Sequence, residues 1–313
     1  MKTITVSSYA KINLSLDVLG VLENGMHQVD MIMQELSFHD DVTVSYTPDP
    51  DRSKGDIEIC LTTNRYYLPT DSRNIAYKAA ALMIEKYGNH KDGGRILIDI
   101  FKRIPVAAGM AGGSGNCAAV LHGLNVIWDL KLGLKDLCDL GAELGSDVPF
   151  CVMGQAKRNH MLPNRIRRSK KAVSCARATG TGTEMVPLKG MKKAVVIAKP
   201  DIGVSTKEVY QGIDDCVIHQ RPDTEELIEG LVHNDFDKIL PNCINVLEEY
   251  TLKAYPEVER LKQKMWEINQ PELVLMSGSG PTVFAVYDDL KSAMEASEKL
   301  RTMGYESYWT KSF

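Results

Sequence analysis

The chain has 313 residues, of which 44% are hydrophobic, so it is long enough to form two domains that each have a core. Its formal net charge of −4 is small, so the charge gives no reason to expect a nucleic-acid partner or a membrane surface. No apolar signal segment and no apolar run of bilayer length is present, and we therefore expect a cytoplasmic protein. The seven cysteines show no CxxC pair and no histidine spacing suited to zinc, so we expect reduced thiols and no metal centre.

The first third of the chain alternates runs of β-forming residues with turns rich in Asp, Gly and Pro, which predicts an antiparallel sheet. The predicted strands cover residues 3–8, 14–19, 42–46 and 57–61. Polar capping residues ending in Asn74 then precede a run with apolar residues at helical spacing, and Gly88 marks its end. This pattern predicts one helix.

Residues 105–119, PVAAGMAGGSGNCAA, form a glycine-rich loop that continues into a helical sequence. Residues 95–101 before it are strand-like and residues 113–130 helix-like, which is the context of a nucleotide phosphate cradle. Glycines let the backbone approach a ligand closely, and the first helical turn presents unpaired N–H groups to an anion. The loop has neither the Gly-Lys-Ser/Thr end of a Walker motif nor the GxGxxG of dinucleotide sites. Taken alone, it also fits a surface turn.

The second half of the chain mixes helices and strands without strict alternation, which predicts an α+β architecture with a domain boundary near Gly154. A helix is predicted over residues 134–144, and a strand is expected to resume near Phe150. Residues 156–177 contain eight Lys or Arg and no acidic residue, which predicts a mobile surface excursion, either a solvated loop or a segment that recruits an RNA or an acidic protein. Further strands are predicted over residues 194–198, 273–276, 282–287 and 306–310, and further helices over residues 223–232, 257–268 and 290–303.

Phosphoryl transfer requires a polyphosphate cradle, compensation of charge and a positioned acceptor hydroxyl. Lys11 lies in a segment of alternating side chains, where an inward lysine needs a charged partner or a ligand. Asp147 precedes Val-Pro-Phe, so its carboxylate is held at the edge of an apolar element. A second glycine segment, Ser277-Gly278-Ser279-Gly280, joins two β-type runs and can close over a phosphate. Each feature alone also fits a solvated lysine, a turn residue or a simple hairpin connection.

In this order, the segments resemble the GHMP kinase superfamily over nearly the whole chain. The matching pieces are AKINLSLDVLG, NGMH, VDMIMQ, KRIPVAAGMAGGSGNCAAVLHGLN, LGSDVPF, KPDIGVSTKEVY and MSGSGPTVFAV. The resemblance is greatest to members that phosphorylate the 2-hydroxyl of a cytidine-diphosphate-linked methylerythritol in non-mevalonate isoprenoid biosynthesis. It implies a two-domain α+β GHMP kinase fold with the active site in the cleft between the domains. The implied domains are an ATP-binding domain at residues 1–154 and a substrate-side domain at residues 155–313, with a basic insertion at about 156–177.

The resemblance also implies roles for individual residues. Asp147 falls on the general base of the family, and Lys11 on the lysine that polarises the acceptor hydroxyl. Lys102 and Asn74 fall where the family contacts the adenosine of ATP. The implied phosphate loop consists of Pro105, Val106, Ala107, Ala108, Gly109, Met110, Ala111, Gly112, Gly113, Ser114, Gly115 and Asn116. The implied substrate contacts are Asn13, Met26, His27, Tyr210, Ser277, Gly278, Ser279 and Gly280.

Two positions depart from the family pattern. Met26 stands where members carry an aromatic residue before the histidine that reads cytidine, so we expect either weaker stacking on the base or compensation from another residue. Gly115-Asn116 stands where many members have Ser-Asp, so we expect ATP with Mg²⁺ but no metal held by this loop.

Two other functions are compatible with parts of the pattern. One is a kinase for another small alcohol such as homoserine or mevalonate, against which His27, Tyr210 and KPDIGVST argue. The other is a non-catalytic regulator that binds ligand on the same fold, against which the retention of Lys11 and Asp147 argues. We expect a monomer or a homodimer.

Overall fold

The computed structural model describes all 313 residues, and the chain divides into two compact units. The first unit contains Met1–Ala10, His39–Ile104 and Ala111–Val173. The second unit contains Lys11–Phe38, Pro105–Met110 and Ser174–Phe313. The units are discontinuous in sequence, whereas the predicted domains are continuous, and the functional assignment of those domains stays a prediction.

The structure consists of ten strands and eleven α-helices, which confirms the predicted α+β class. The strands are β1 (Lys2–Val21), β2 (His27–Pro48), β3 (Ile57–Thr63), β4 (Gly94–Phe101), β5 (Cys175–Gly180), β6 (Glu184–Pro187), β7 (Ala194–Lys199), β8 (Leu273–Met276), β9 (Val283–Tyr287) and β10 (Glu306–Lys311). The helices are α1 (Ile75–Tyr87), α2 (Gly112–Ile127), α3 (Leu134–Ala142), α4 (Val148–Arg158), α5 (Asn164–Arg167), α6 (Thr206–Ile213), α7 (Thr224–His233), α8 (Phe236–Ile239), α9 (Glu248–Ala254), α10 (Pro256–Trp266) and α11 (Leu290–Thr302). Short 3₁₀ segments cover Gly88–His90 and Leu240–Asn242.

The strands of the first third differ from prediction in two ways. The two strands predicted over residues 3–8 and 14–19 are one continuous strand, β1, which pairs with β2. In the first unit, β4 pairs antiparallel with residues 41–48 of β2 but parallel with β3. The prediction of a purely antiparallel sheet is therefore wrong at β3. The physical reason is the connection, because α1 lies between β3 and β4 and such a crossover helix returns the chain in the same direction.

The segment after Asp147 forms α4, so the strand predicted near Phe150 is wrong. Residues 148–156 are all buried, and α4 packs against α2 and α3. A helix that is covered on all sides lacks the polar face that gives a helical period, so its valines and Phe150 resemble a strand. Pro149 lies in the first turn, where the missing N–H of proline removes no helical hydrogen bond.

The basic segment at residues 156–177 is not a simple surface excursion. Its first residues complete α4, and its last residues begin β5. Leu162, Ile166 and Ala172 are buried, so the connection between these elements is packed on the first unit. The prediction of a mobile surface excursion is therefore wrong for these apolar side chains. The prediction considered only the charged residues of the segment.

A buried histidine joins α2 to α4. Nε2 of His122 donates to the carbonyl oxygen of Val152 at 3.0 Å, and the side chain is fully buried. Burial lowers the pKa of His122 to about 4, although the hydrogen bond to Val152 acts in the opposite direction. Because the ordinary value is about 6.5, the unfolded chain takes up a proton first as the pH falls. The contribution of the neutral ring is complete above pH 6.5 and is lost towards pH 4.

We expect His122→Gln to flatten the acid side of the stability curve. Between pH 7 and pH 5 the wild type should lose about 2 kcal/mol more unfolding free energy than the variant, from the proton uptake at this ring. Urea denaturation at both pH values measures the difference. Equal losses in the two proteins would contradict the assignment of this pH dependence to His122.

The second unit has its own sheet pairings. Residues 29–34 of β2 pair antiparallel with β5, which pairs antiparallel with β6. A separate antiparallel sheet has the order β10-β7-β9-β8, and α10 and α11 pack on it. Its four strands confirm those predicted from residue 194 onwards, and α7, α10 and α11 confirm the predicted helices. No helix of either unit combines the length and the apolar character that a membrane crossing requires.

Candidate active site

The first half of the glycine-rich loop, Pro105–Met110, lies against the segment Ser277–Gly280 in the second unit. Gly109 has a φ of +67°, and a Cβ placed there would lie 2.3 Å from the carbonyl oxygen of Ser277. The hydroxyl of Ser277 donates to the carbonyl oxygen of Gly109 at 3.0 Å. Glycine is required here by both conformation and space. The two glycine segments that the sequence predicted separately are therefore neighbours.

Lys11 on β1 lies beside this loop. Its backbone N–H donates to the carbonyl oxygen of Met110 at 3.2 Å, and its ammonium donates to Oδ1 of Asn13 at 2.8 Å. Lys11 is only 5% exposed, and Asn13 is fully buried two residues further along the same face of the strand. Nδ2 of Asn13 contacts the sulfur of Met31 at 3.3 Å. Asn13 thereby holds the ammonium of Lys11, whose backbone is bonded to Met110 of the glycine loop.

Asn245 holds the segment Ser277–Gly280 in place, although no sequence motif singled it out. Its Nδ2 donates to the carbonyl oxygens of Met276 and Gly278, at 2.8 and 2.7 Å. Its Oδ1 accepts the N–H of Leu247 at 3.1 Å, so both ends of the buried amide are used. The only signal in the sequence is a single polar residue within the apolar run INVL.

The second half of the loop belongs to the first unit and begins α2. Ala111 has a φ of +54° and stands at the N-cap position, with no side chain capping the helix. The N–H groups of the first turn are therefore left to other acceptors, as an anion cradle requires. Gly112 lies so close to Lys102 that a Cβ there would be 2.6 Å from Nζ. The ammonium of Lys102 thus lies at the start of α2.

A buried carboxylate connects the entry of the loop to the first turn of α2. Asp40 on β2 accepts the N–H groups of Arg103 and Ile104 at 2.7 and 2.8 Å, Nδ2 of Asn116 at 2.9 Å and Nζ of Lys102 at 2.5 Å. Burial lowers the pKa of Lys102, and the charge of Asp40 opposes this effect. Lys102, predicted to contact adenosine, is thus engaged with Asp40 inside the protein, and its contact with adenosine stays a prediction.

The departure at Gly115-Asn116 has a physical explanation. A Cβ on Gly115 would lie 2.4 Å from the hydroxyl oxygen of Ser8, which is buried on β1 and also accepts from Nδ2 of Asn116 at 3.3 Å. An aspartate in place of Asn116 would bring a second buried carboxylate next to Asp40, which is unfavourable. Gln155 on α4 donates to the carbonyl oxygen of Gly115 at 2.7 Å. The first turn of α2 is therefore fixed from β1, β2 and α4.

Asn74, the other residue predicted near adenosine, caps α1. Its Oδ1 accepts the N–H of Ala76 at 3.0 Å, and its Nδ2 donates to the carbonyl oxygen of Pro69 at 2.9 Å. The predicted cap is confirmed. Both polar groups of the side chain thus have partners within the protein. The contact of Asn74 with adenosine stays a prediction.

Asp147 stands at the N-cap position of α4 in the first unit. Its carbonyl oxygen accepts the N–H of Cys151 at 3.2 Å, and its side chain does not cap the helix. Asp147 is half-buried, at the positive end of a helix in which residues 148–156 are all buried. Asp147 therefore stands at the edge of an apolar element, which is a helix and not the predicted strand, and its role as a base stays a prediction.

Two rings predicted to hold a base come together in the second unit. The imidazole of His27, at the start of β2, and the ring of Tyr210, on α6, have centroids 5.1 Å apart and an interplanar angle of 47°. Met26, directly before His27, is 46% exposed. Thr206, in the first turn of α6, shares a hydrogen bond of 2.9 Å with the hydroxyl of Ser279. The helix that carries Tyr210 is thereby tied to the Ser277–Gly280 segment.

Comparison with known proteins agrees with this geometry. The family model for the GHMP kinases N terminal domain matches residues 74–155, and that for GHMP kinases C terminal matches residues 225–306. The 4-diphosphocytidyl-2-C-methyl-D-erythritol kinase of Alkaliphilus metalliredigens is 41% identical, over 100% of this chain and 98% of the relative. The enzyme of the same name from Alkaliphilus oremlandii is 39% identical, over 100% of this chain and 98% of the relative.

A solved structure is similar over the same extent. The crystal structure of a 4-(cytidine 5′-diphospho)-2C-methyl-D-erythritol kinase superposes with a TM-score of 0.76 at 27% identity, covering 99% of each chain. Both halves of the sequence thus match ATP-dependent small-molecule kinases, with full-length relatives that share one name. The chain belongs to the GHMP kinases and, within them, to the family of 4-diphosphocytidyl-2-C-methyl-D-erythritol kinases.

Proposed function

We propose that the protein transfers the γ-phosphoryl group of ATP to the 2-hydroxyl of 4-diphosphocytidyl-2-C-methyl-D-erythritol, a step in non-mevalonate isoprenoid biosynthesis. The observation that carries this proposal is the pair of rings at His27 and Tyr210, in the same unit as Lys11 and the Ser277–Gly280 segment. Homoserine and mevalonate contain no nucleobase, so a pair of rings placed to hold the base of an acceptor substrate favours the cytidyl substrate. The names of the relatives point the same way.

We assign the triphosphate of ATP to the loop Pro105–Asn116, where glycines allow close approach of the backbone and the first turn of α2 has no side-chain cap. The assignment keeps residues 1–154 as the ATP-binding domain and residues 155–313 as the substrate-side domain. Lys102 and Asn74 are assigned to the adenosine side. Mg²⁺ enters with ATP as part of the nucleotide substrate, because it is held mainly by phosphate oxygens and water.

Asp147 is assigned as the base and Lys11 as the residue that holds the acceptor hydroxyl. The 2-hydroxyl oxygen attacks the γ-phosphorus, its proton passes to Asp147, and the bond to the β–γ bridging oxygen breaks as ADP leaves. The ammonium of Lys11, oriented by Asn13, stabilises the negative charge that develops on the attacking oxygen. A cytoplasmic location and a monomeric or homodimeric state complete the proposal.

The test is a substrate panel. Purified protein is incubated with Mg-ATP and, separately, the cytidyl methylerythritol, mevalonate and homoserine, and phosphorylated products are identified by mass spectrometry. We expect product only from the cytidyl compound. Phosphorylation of mevalonate or homoserine instead would overturn the substrate assignment. Ligand binding without any phosphorylated product would indicate the non-catalytic regulator.

Tyr210→Ala is expected to raise the KM for the cytidyl substrate by about 5- to 150-fold, the loss of roughly 1 to 3 kcal/mol of stacking on a base. The KM for ATP should stay within about twofold. Tyr210→Phe is the matched control, because it keeps the ring, and it should retain a KM near the wild-type value. Equal increases in both KM values for Tyr210→Ala would remove Tyr210 from the base site.

A further inference from the structure

An acidic residue that the proposed reaction does not use contacts the ring predicted to read the base. Oδ1 of Asp214 lies 2.9 Å from Nε2 of His27. Asp214 follows α6 directly, four residues after Tyr210, and residues spaced in this way lie on the same side of a helix. Both side chains meet His27, one through the ring and one through the carboxylate. Val209 and Ile213, which are buried, anchor α6 in the second unit.

The contact decides which nitrogen of the ring carries the proton. A carboxylate only accepts hydrogen bonds, so the nitrogen that faces it must be the donor. Nε2 of His27 is therefore the N–H, and in the neutral ring Nδ1 keeps its lone pair. No group of the chain hydrogen-bonds to Nδ1 of His27, and the side chain is only 10% exposed. The ring thus offers one oriented acceptor to a ligand.

We propose that Asp214 is a positioning residue that makes His27 select cytosine over uracil, by holding the imidazole as the acceptor tautomer at Nδ1. Cytosine carries an amino group at C4 that donates to this nitrogen, whereas uracil carries a carbonyl oxygen there, which places two lone pairs face to face. The proposal rests on the proposed function, because it takes the ligand to be a cytidyl group. It adds the residue that sets the choice of base.

The chain offers a matched pair of variants. Asp214→Asn keeps the size of the side chain, but an amide both donates and accepts, so it holds either tautomer of His27 equally well. Asp215→Asn removes the same charge at the next position, where the residue is exposed and makes no recorded contact with His27. Comparison of the two variants separates the effect on the tautomer from the general loss of a negative charge.

The experiment measures binding of cytidine 5′-diphosphate and uridine 5′-diphosphate by calorimetry, with all proteins at the same pH. A saturating non-hydrolysable ATP analogue is present, so that neither probe occupies the ATP site. The wild type and Asp215→Asn should prefer the cytidine nucleotide by at least about tenfold, as expected for one matched against one mismatched base edge. In Asp214→Asn the preference should fall below about threefold, with unchanged affinity for the ATP analogue and an unchanged melting temperature.

The proposal would be overturned by a preference that persists in Asp214→Asn or by a wild type that binds both probes equally well. A loss of preference in Asp215→Asn as large as that in Asp214→Asn would also overturn it, because net charge would then be the cause. Turnover of the cytidyl methylerythritol is assayed in parallel. If the protein turns over the cytidyl substrate but shows no base preference, only the role of Asp214 is refuted. If it prefers the cytidine nucleotide but shows no turnover, only the proposed function is refuted.

Discussion

Asp147→Asn should lower kcat by a factor on the order of 10² or more while the KM for ATP stays within about twofold. The amide has nearly the same shape as the carboxylate but cannot accept the proton of the attacking hydroxyl. The side chain does not cap α4, and the buried residues that follow it hold the helix in place. The variant should therefore fold as the wild type does, so that the loss appears in the chemical step and not in stability.

Steady-state kinetics with the cytidyl substrate, together with thermal melting, measure both parts of this expectation. Asp139→Asn on α3 is the control, since that carboxylate is exposed and pairs only with Lys135 at the surface. The control should keep normal turnover. Turnover of Asp147→Asn within about threefold of the wild type would remove Asp147 from the role of base.

Gly109→Ala should destabilise the protein by about 2 to 4 kcal/mol and abolish binding of ATP. The new Cβ would lie 2.3 Å from the carbonyl oxygen of Ser277 and 3.1 Å from that of Gly280, and both are backbone atoms. The φ of +67° is itself unfavourable for alanine. Relief requires the first half of the glycine loop to move away from Ser277, which breaks the hydrogen bond from its hydroxyl.

Gly113→Ala is the matched control for stability. A Cβ at Gly113 meets only Cγ2 of Ile75, at 3.6 Å, which is an ordinary contact, and alanine is favoured over glycine within a helix. Urea denaturation should show Gly113→Ala to be as stable as the wild type or more so. If Gly109→Ala were equally stable and bound ATP normally, the close packing of the two glycine segments would be refuted.

The residues with local signals were predicted well. The cap at Asn74 and the periodic helix after it follow from local chemistry, and the inward side chain of Lys11 follows from the alternation along β1. The sequence indicated each glycine segment separately, but it did not predict that the two segments are in contact. Each segment has a signal of its own, but the packing of Gly109 on Ser277 depends on tertiary structure.

Other features had no local signal. The helix α4 resembles a strand because its burial on all sides removes the helical period. Asp40, Asn245 and Asp214 are single polar residues whose roles depend on partners distant in sequence, such as the N–H of Ile104 or the ring of His27. A sequence pattern detects the spacing of residues along the chain but not contacts between distant residues. The sequence therefore indicated the residues proposed for chemistry but not the polar residues that position the site.

The contact of Ser8 with Gly115 has an evolutionary consequence. The hydroxyl of Ser8 fills the space that a side chain at position 115 would need, so β1 and the phosphate loop each constrain the other's residue. A serine acquired at position 115 alone would force that hydroxyl to rotate away from Nδ2 of Asn116, and removal of Ser8 alone would leave a void beside Asn116. Positions 8 and 115 are therefore expected to be inherited as a pair, and a loop transplanted from a relative would need its own strand residue to fit.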